Sequence, residues 1–405
     1  MAIQVRKTPF QCGKVLDDRA WQEVRTRTIF ECCKFDVQCE DHSVLAAYPL
    51  LLPTEEWRRL AFWAERLSRE AILAEQELLA RPDLLVRLGF PRQVVHLLGV
   101  NQRVGERRQN VRLMRFDFHY TTEGWRISEV NADVPGGLIE ASGFTRLMWE
   151  RNADTAMPPD VTRIYAEALV SAAPGKTAGL VHATAYSDDR QVMQYLSREL
   201  SKCGMRVHLL SPAHLSWQGN LPAINCAFAN GVPDILVRFF PAEWLPSLGG
   251  TKRWAPFFHP ETAISNPCSA LLLQTKRFPL IWAELQTCLS TWRELMPESV
   301  PVEDLDGSDA WVLKPALGRV GEDIAIPGIT AEQELHRLRR EARWRPSNWV
   351  AQARFEALPV MTPEGLRYPC FGIYTVNGKA SGIYGRIAQK PLIDQDAQDV
   401  AVLLV

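Results

Sequence analysis

Four side chains between Leu113 and Asn131 could do chemistry together: Arg115, Asp117, Glu129 and Asn131. They lie in two strand-like runs, R-F-D-F-H and W-R-I-S-E-V-N, separated by Thr122-Glu123-Gly124. A three-residue loop with Gly124 in the left-handed region pairs Thr121 with Trp125. Extending that register sets Asp117 opposite Glu129 and Arg115 opposite Asn131. Strand side chains alternate between faces, so all four project from one side of the hairpin. Carboxylate and amide oxygens gathered in this way suit Mg²⁺, which takes hard oxygen ligands and keeps positions for waters and substrate phosphates. A solvated face with one cross-strand ion pair accounts for the same residues.

Two later stretches carry complementary charge. In W-V-L-K-P-A-L-G-R-V-G-E-D, residues 311–323, an apolar strand delivers Lys314, Pro315 breaks the ladder, and Gly318 and Gly321 bracket Arg319. Glycines let backbone N–H groups approach phosphate oxygens closely, and the lysine and arginine add charge. The pattern is neither a Walker loop nor a dinucleotide fingerprint, and an ordinary turn would read the same way. Trp349 opens an extended run through Gln352 to Phe355. Beyond it, Cys370 to Val376, a turn at Asn377-Gly378, and Ala380 to Arg386 read as a hairpin. Arg386 follows Gly385 in a segment poor in charge, which a plain surface arginine would also satisfy.

The elements that must position these groups are legible in part. Residues 54–80 form a helix, with Thr54 as N-cap, Glu55 and Glu56 at the positive end of the dipole, and one apolar stripe from Trp57 to Leu78. Residues 178–240 read as strand (178–184), helix (188–203) and two further strands (206–211 and 235–240), a βαβ unit with a parallel sheet. Gly175-Lys176-Thr177 imitates the end of a phosphate-binding loop, but it precedes its strand, and Val170 stands where the first glycine is required. Connections near 152–160 and 245–260 are candidate boundaries. Cys32, Cys33, Cys39 and His42 cluster without a C-x-x-C pair, and reading them as a strand points Cys32 and Cys33 apart; free thiols in a reducing compartment fit better than a structural metal.

Composition narrows the classes. The 405 residues carry 46 Lys+Arg against 47 Asp+Glu, too balanced for bulk attraction to nucleic acid or anionic lipid. No apolar run approaches the roughly 18 residues of a membrane span, and no secretory leader is seen at Met1, so a cytoplasmic protein is expected.

In combination, R-F-D-F-H, S-E-V-N-A-D, K-P-A-L-G-R-V-G and G-I-Y-G-R resemble the synthetase domain of glutathionylspermidine synthetase, an ATP-grasp ligase whose metal-binding hairpin precedes its lysine strand. E-C-C-K-F-D-V-Q at 31–38, Y-S-D-D-R at 186–190, R-F-F-P-A-E-W-L at 238–245 and L-L-L-Q-T-K-R-F-P-L-I-W at 271–282 extend the resemblance over nearly the whole chain from about residue 25. It implies an α/β (α+β) fold: an antiparallel ATP-grasp-type domain, a βαβ Rossmann-like subdomain of the preATP-grasp kind, and N-terminal helices. The corresponding division is an N-terminal helical region (1–110), a metal-binding hairpin (111–150), the βαβ subdomain (151–260) and a nucleotide-binding region (261–405). The resemblance further implies Mg²⁺ ligation by Asp117, Glu129 and Asn131. Arg115 would contact the reacting carboxylate or the transferred phosphoryl group, and Arg386 would stabilise the acyl-phosphate and tetrahedral intermediate. ATP phosphates would be held by Lys276 and Lys314 under the loop of Gly318, Arg319 and Gly321, with Gln352 near the adenine hinge.

The expected activity is ATP-dependent joining of a small carboxylate, peptide- or glutathione-like, to an amine. There are departures: Val134, Pro135 and Gly136 replace small hydroxyl residues, Ile387 replaces an acidic residue, and the 405 residues leave no room for the amidase domain of bifunctional relatives, so none is expected in them. They motivate one alternative, a catalytically idle nucleotide-binding protein serving as a regulatory or scaffolding partner.

Overall fold

The computed structural model describes residues 8–40, 42–99, 110–305, 308–319 and 321–405. Its central feature is a six-stranded antiparallel sheet. Across it run Gln398–Val400, Lys379–Ala388, Gly365–Val376, Leu113–Thr121 and Gly124–Asn131, with Val360–Thr362 also pairing to the Gly365–Val376 strand. The early hairpin and the C-terminal hairpin are therefore one sheet, joined through Leu113–Thr121 and Gly365–Val376.

Alternation divides the faces of this sheet. Phe116, Phe118, Phe371, Ile373 and Ile383 point to the core, where the helix Thr54–Leu79 lays Leu60, Ala64, Leu67, Ala71, Ala74 and Leu78 against them. Each of those leucines is fully buried, a contribution of about 2 kcal/mol apiece. The helix begins as its pattern predicts, but Thr54 is its first residue and not its side-chain cap. The Thr54 N–H instead donates to the carbonyl of Val405, 2.8 Å away, so the end of the chain satisfies that donor.

A second, parallel sheet has the order Ala263–Ser265, Ile235–Phe239, Thr177–His182, Arg206–Leu210. The helix Ser187–Lys202 crosses between two of its strands, which is the expected βαβ unit, and Ala263–Ser265 extends it. A third sheet places Trp349–Ala353 between Ser299–Val300 and Trp311–Pro315. Here the ladder runs through Pro315, opposite Trp349, and does not break there. Trp311–Pro315 is an edge strand of this sheet, where proline's missing N–H is tolerated. Cys32 likewise departs from the strand reading: it closes the helix Asp18–Cys32, and Cys33 caps it at φ 63°. Among the described residues no helix is long and apolar enough to cross a membrane.

Candidate functional site

The polar face of the central sheet floors a cavity of about 1090 Å³. All eleven residues expected to act line it: Arg115, Asp117, Glu129, Asn131, Lys276, Lys314, Gly318, Arg319, Gly321, Gln352 and Arg386. Val320, inside the glycine loop, lies outside the described residues. The volume slightly exceeds that of a typical single-ligand pocket and suits more than one small molecule.

The hairpin supplies the floor by a route that differs in detail from the expected register. Thr121 pairs with Gly124 across a two-residue turn, not with Trp125. A β-bulge then falls between Asp117 and Phe118, where Ser128 is the extra residue, and it restores Asp117 opposite Glu129 and Arg115 opposite Asn131. Gly124, at φ 94°, follows the turn.

On this floor the charges interlock. Arg115 donates Nε and Nη2 to the two oxygens of Asp117, at 2.7 and 2.9 Å, and Nη1 to the Gly136 carbonyl at 2.9 Å. Asn131 donates Nδ2 to Asp117 Oδ2 at 3.0 Å, which leaves its amide oxygen as a ligand atom. Gly372 underlies the pair: a Cβ there would meet Arg115 Cδ at 2.6 Å. Burial pushes the Asp117 carboxyl up against the opposing pull of Arg115.

Glu129 has the reverse balance. Burial alone would raise its carboxyl, but Lys276 and Lys314 bring it down to about 2. Lys276 Nζ lies 3.1 Å from Glu129 Oε2 and donates to the Gly318 carbonyl at 2.6 Å, tying the glycine loop to the hairpin. Lys314 donates to Gln352 Oε1 at 2.7 Å and to the bulged Ser128 carbonyl at 3.2 Å. Burial and the charge of Lys276 depress its ammonium to about 8, while Glu129 resists the shift. Gln352 thus stands beside the lysine at the diagonal position of the adjacent strand.

The remaining expected residues occupy more specific places. Arg386, opposite Cys370 and Asp399 in the sheet, donates Nη2 to the carbonyls of Asp394 and Ala397 at 2.7 and 3.1 Å. Among the described residues its Nε is buried without a hydrogen-bond partner. Arg319 turns toward the parallel-sheet side, 2.5 Å from Glu243 Oε1 and over the Trp244 ring. Gly321 is at φ 71°, and a Cβ there would strike the Ile393 carbonyl at 2.5 Å. The departures noted in the sequence also acquire places. Gly136 accepts from both Arg115 and Tyr374, and Ile387 is buried in the core while Asp399 supplies the acidic neighbour of Arg386.

Several residues in or beside the cavity sit inside the quoted motifs, yet the sequence alone assigns them no role. His119 is neutral, pushed to about 4 by burial and then by Lys314, and shares a hydrogen bond with Ser128 Oγ at 3.1 Å. Tyr186 and Trp244 pack with tilted rings, centroids 5.8 Å apart, and the same cavity is lined by Asp189, whose carboxyl burial and Asp188 raise to about 6. Asp133, the last residue of S-E-V-N-A-D, is fully buried against Arg238 of R-F-F-P-A-E-W-L and accepts from the Ala242 N–H at 3.0 Å. That contact locks the hairpin's end to the parallel sheet. Both residues lie in quoted motifs, but no local pattern reveals that the two motifs meet.

This is the mixed α/β architecture of an ATP-grasp-type fold. Over 96% of the chain and 98% of the other, it superposes at a TM-score of 0.65 on the apo structure of a glutathione synthetase-like effector from Globodera pallida, with 14% identity. The glutathionylspermidine synthase preATP-grasp family matches residues 40–404, and the chain belongs to that family. A Haemophilus influenzae protein with the provisional description acid–amine ligase is 25% identical over 283 residues, which are 66% of this chain and 68% of that one.

Proposed function

We propose that the protein is an ATP-dependent ligase that joins a carboxylate to an amine through an acyl-phosphate. The observation that carries this reading is the single cavity shared by two carboxylates, two lysines and two arginines drawn from four separate stretches of sequence. Such groups, desolvated together, serve transfer of a phosphoryl group better than they serve packing.

The donor set of Asp117, Glu129 and the Asn131 amide oxygen fits a hard divalent cation. Mg²⁺ held there would neutralise charge on the transferring phosphoryl group. Lys276 and Lys314 offer their ammonium groups to phosphate oxygens, and the Gly318 to Gly321 loop, tied down through Lys276, covers them. The substrate carboxylate attacks the terminal phosphorus of ATP as the bond to the departing ADP oxygen breaks. The neutral amine then attacks the acyl carbon, the acyl carbon–oxygen bond to phosphate breaks, and the departing phosphate carries away one amine proton. Arg115 orients the carboxylate, while Arg386 faces the charge that develops on the acyl oxygen. In this reading 111–150 and 261–405 form the catalytic body and 151–260 the subdomain that closes one side of the cavity.

The test is ADP release that depends jointly on a carboxylate and an amine, run as a screen of peptides and amino acids against amines. Arg386→Ala should abolish that release and leave ATP affinity within about threefold. Loss of both together would place Arg386 in the nucleotide site instead.

A further inference from the structure

At the end of the cavity beyond Arg386, a buried lysine is surrounded by carboxylates. Lys34 Nζ lies 2.6 Å from Glu140 Oε1, 3.2 Å from Asp36 Oδ1 and 3.3 Å from Asp399 Oδ2. Lys34, Asp36, Glu140 and Asp399 all line the cavity. Three carboxylates against the Lys34 ammonium, with Arg386 3.9 Å from Asp399, still leave this end with an excess of one negative charge. Among the described residues the second Glu140 oxygen, Oε2, is buried with no hydrogen-bond partner, on a residue only 7% exposed. A buried acceptor without a donor is costly, and it marks a place where a ligand donor belongs.

Asp399 connects this end to the reacting region. It accepts from the Tyr384 hydroxyl at 2.6 Å and lies 3.9 Å from Arg386 Nε. The Tyr384 ring in turn lies under the Arg115 guanidinium, 5.0 Å from its centroid. A nitrogen bound at Glu140 Oε2 therefore sits next to the groups that face the acyl carbon.

We infer that Glu140 Oε2 receives the N–H of the substrate amine, and that Lys34 fills the rest of the acidic pocket so that it takes a primary amine with one ammonium group. The Lys34 ammonium stands where a second substrate cation would otherwise bind. Like charges in a desolvated pocket repel, so Lys34 selects against an acceptor with a second ammonium at this depth. This inference rests on the amine-ligating reading and specifies its acceptor.

The experiment is calorimetric titration of the full chain with n-butylammonium and with 1,4-diaminobutane, beside Lys34→Met, Lys34→Arg and Glu140→Gln, with melting temperatures recorded for each. Glu140→Gln should weaken both amines at least tenfold. Lys34→Met should shift the affinity ratio at least tenfold toward the diamine, and Lys34→Arg should keep the wild-type ratio. Unchanged amine binding in folded Glu140→Gln, or an unchanged ratio in Lys34→Met, would overturn the inference. Mg²⁺–ATP titrated into the same samples reads the ligase proposal separately. Nucleotide binding with the wrong amine pattern removes only the acceptor assignment, whereas absent nucleotide binding removes the ligase reading.

Discussion

The two ends of the cavity are built from the same chemistry in opposite proportion. At one end two lysines, Lys276 and Lys314, meet one carboxylate, Glu129; at the other, one lysine, Lys34, meets Asp36, Glu140 and Asp399. The effect on the carboxyls is opposite too. Excess ammonium drags Glu129 down to about 2, while burial and the neighbouring Asp399 hold Glu140 above the usual carboxylate range despite Lys34. The ratio of charges, more than the presence of a salt bridge, decides which ligand an end can hold. An end with surplus cation suits phosphates, and one with surplus anion suits an amine. Between them the hairpin pairs Arg115 with Asp117, balanced one to one. Buried pairs of this kind add little stability for their desolvation, so this one suits a ligand site better than a packing role.

The most damaging change to that polarity is at its balanced middle. Asp117→Asn removes a carboxylate oxygen and frees Arg115, and turnover should fall about 10²–10³-fold by analogy with deletion of one preorganised electrostatic group. The Mg²⁺ concentration needed for activity should rise in the same variant. Normal turnover would remove the hairpin from the catalytic assignment.

A smaller effect sharpens the cationic end through pH. Lys314 loses its proton near 8, so ATP affinity should decline as pH rises through about 8, approaching tenfold per unit, and this decline should vanish in Lys314→Met. Stability has the opposite sign. With the folded pKa near 8 and the unfolded value near 10.5, the unfolded chain binds more protons between them, so this group makes the fold more stable with rising pH across that window. Glu129 acts on the acid side. Its depressed carboxyl contributes stability that is present above about 4.5 and lost as pH falls toward 2, measurable by denaturant unfolding across that range.

The smallest expected effect is local. Gly321→Ala puts a side chain at φ 71° and against the Ile393 carbonyl, so it should destabilise by about 1–3 kcal/mol, read from the denaturant midpoint. Its loss of ATP affinity should exceed any loss of amine binding, because the glycine loop belongs to the cationic end.

Much of this arrangement was legible because it is carried by short, local patterns. Period-two alternation in 113–131 fixes which side chains share a face, and the pairing of Asp117 with Glu129 and Arg115 with Asn131 emerges as expected. The turn did not, because a two-residue loop compensated by a bulge at Ser128 gives the same pairing as a three-residue loop without one. Arg319 was read as a phosphate ligand from its flanking glycines, yet in this structure its nearest partner is Glu243, contributed by a distant segment. Gln352, expected near the adenine, lies on Lys314 through the pairing of two strands whose register no local pattern reveals. The acidic end was legible only in part, for the same reason: Lys34 and Asp36 lie in E-C-C-K-F-D-V-Q, but nothing local joins them to Glu140 and Asp399. Lys34, Glu140 and Asp399 are far apart in sequence, and only the fold makes them one pocket.

The central claim is that the cationic end holds ATP with Mg²⁺. The most direct measurement is calorimetric titration with a non-hydrolysable ATP analogue, with and without Mg²⁺, on the wild type and on Lys314→Met. Mg²⁺-dependent binding that is lost in the variant is the predicted result. No binding at millimolar nucleotide, or equal binding in both proteins, would contradict it.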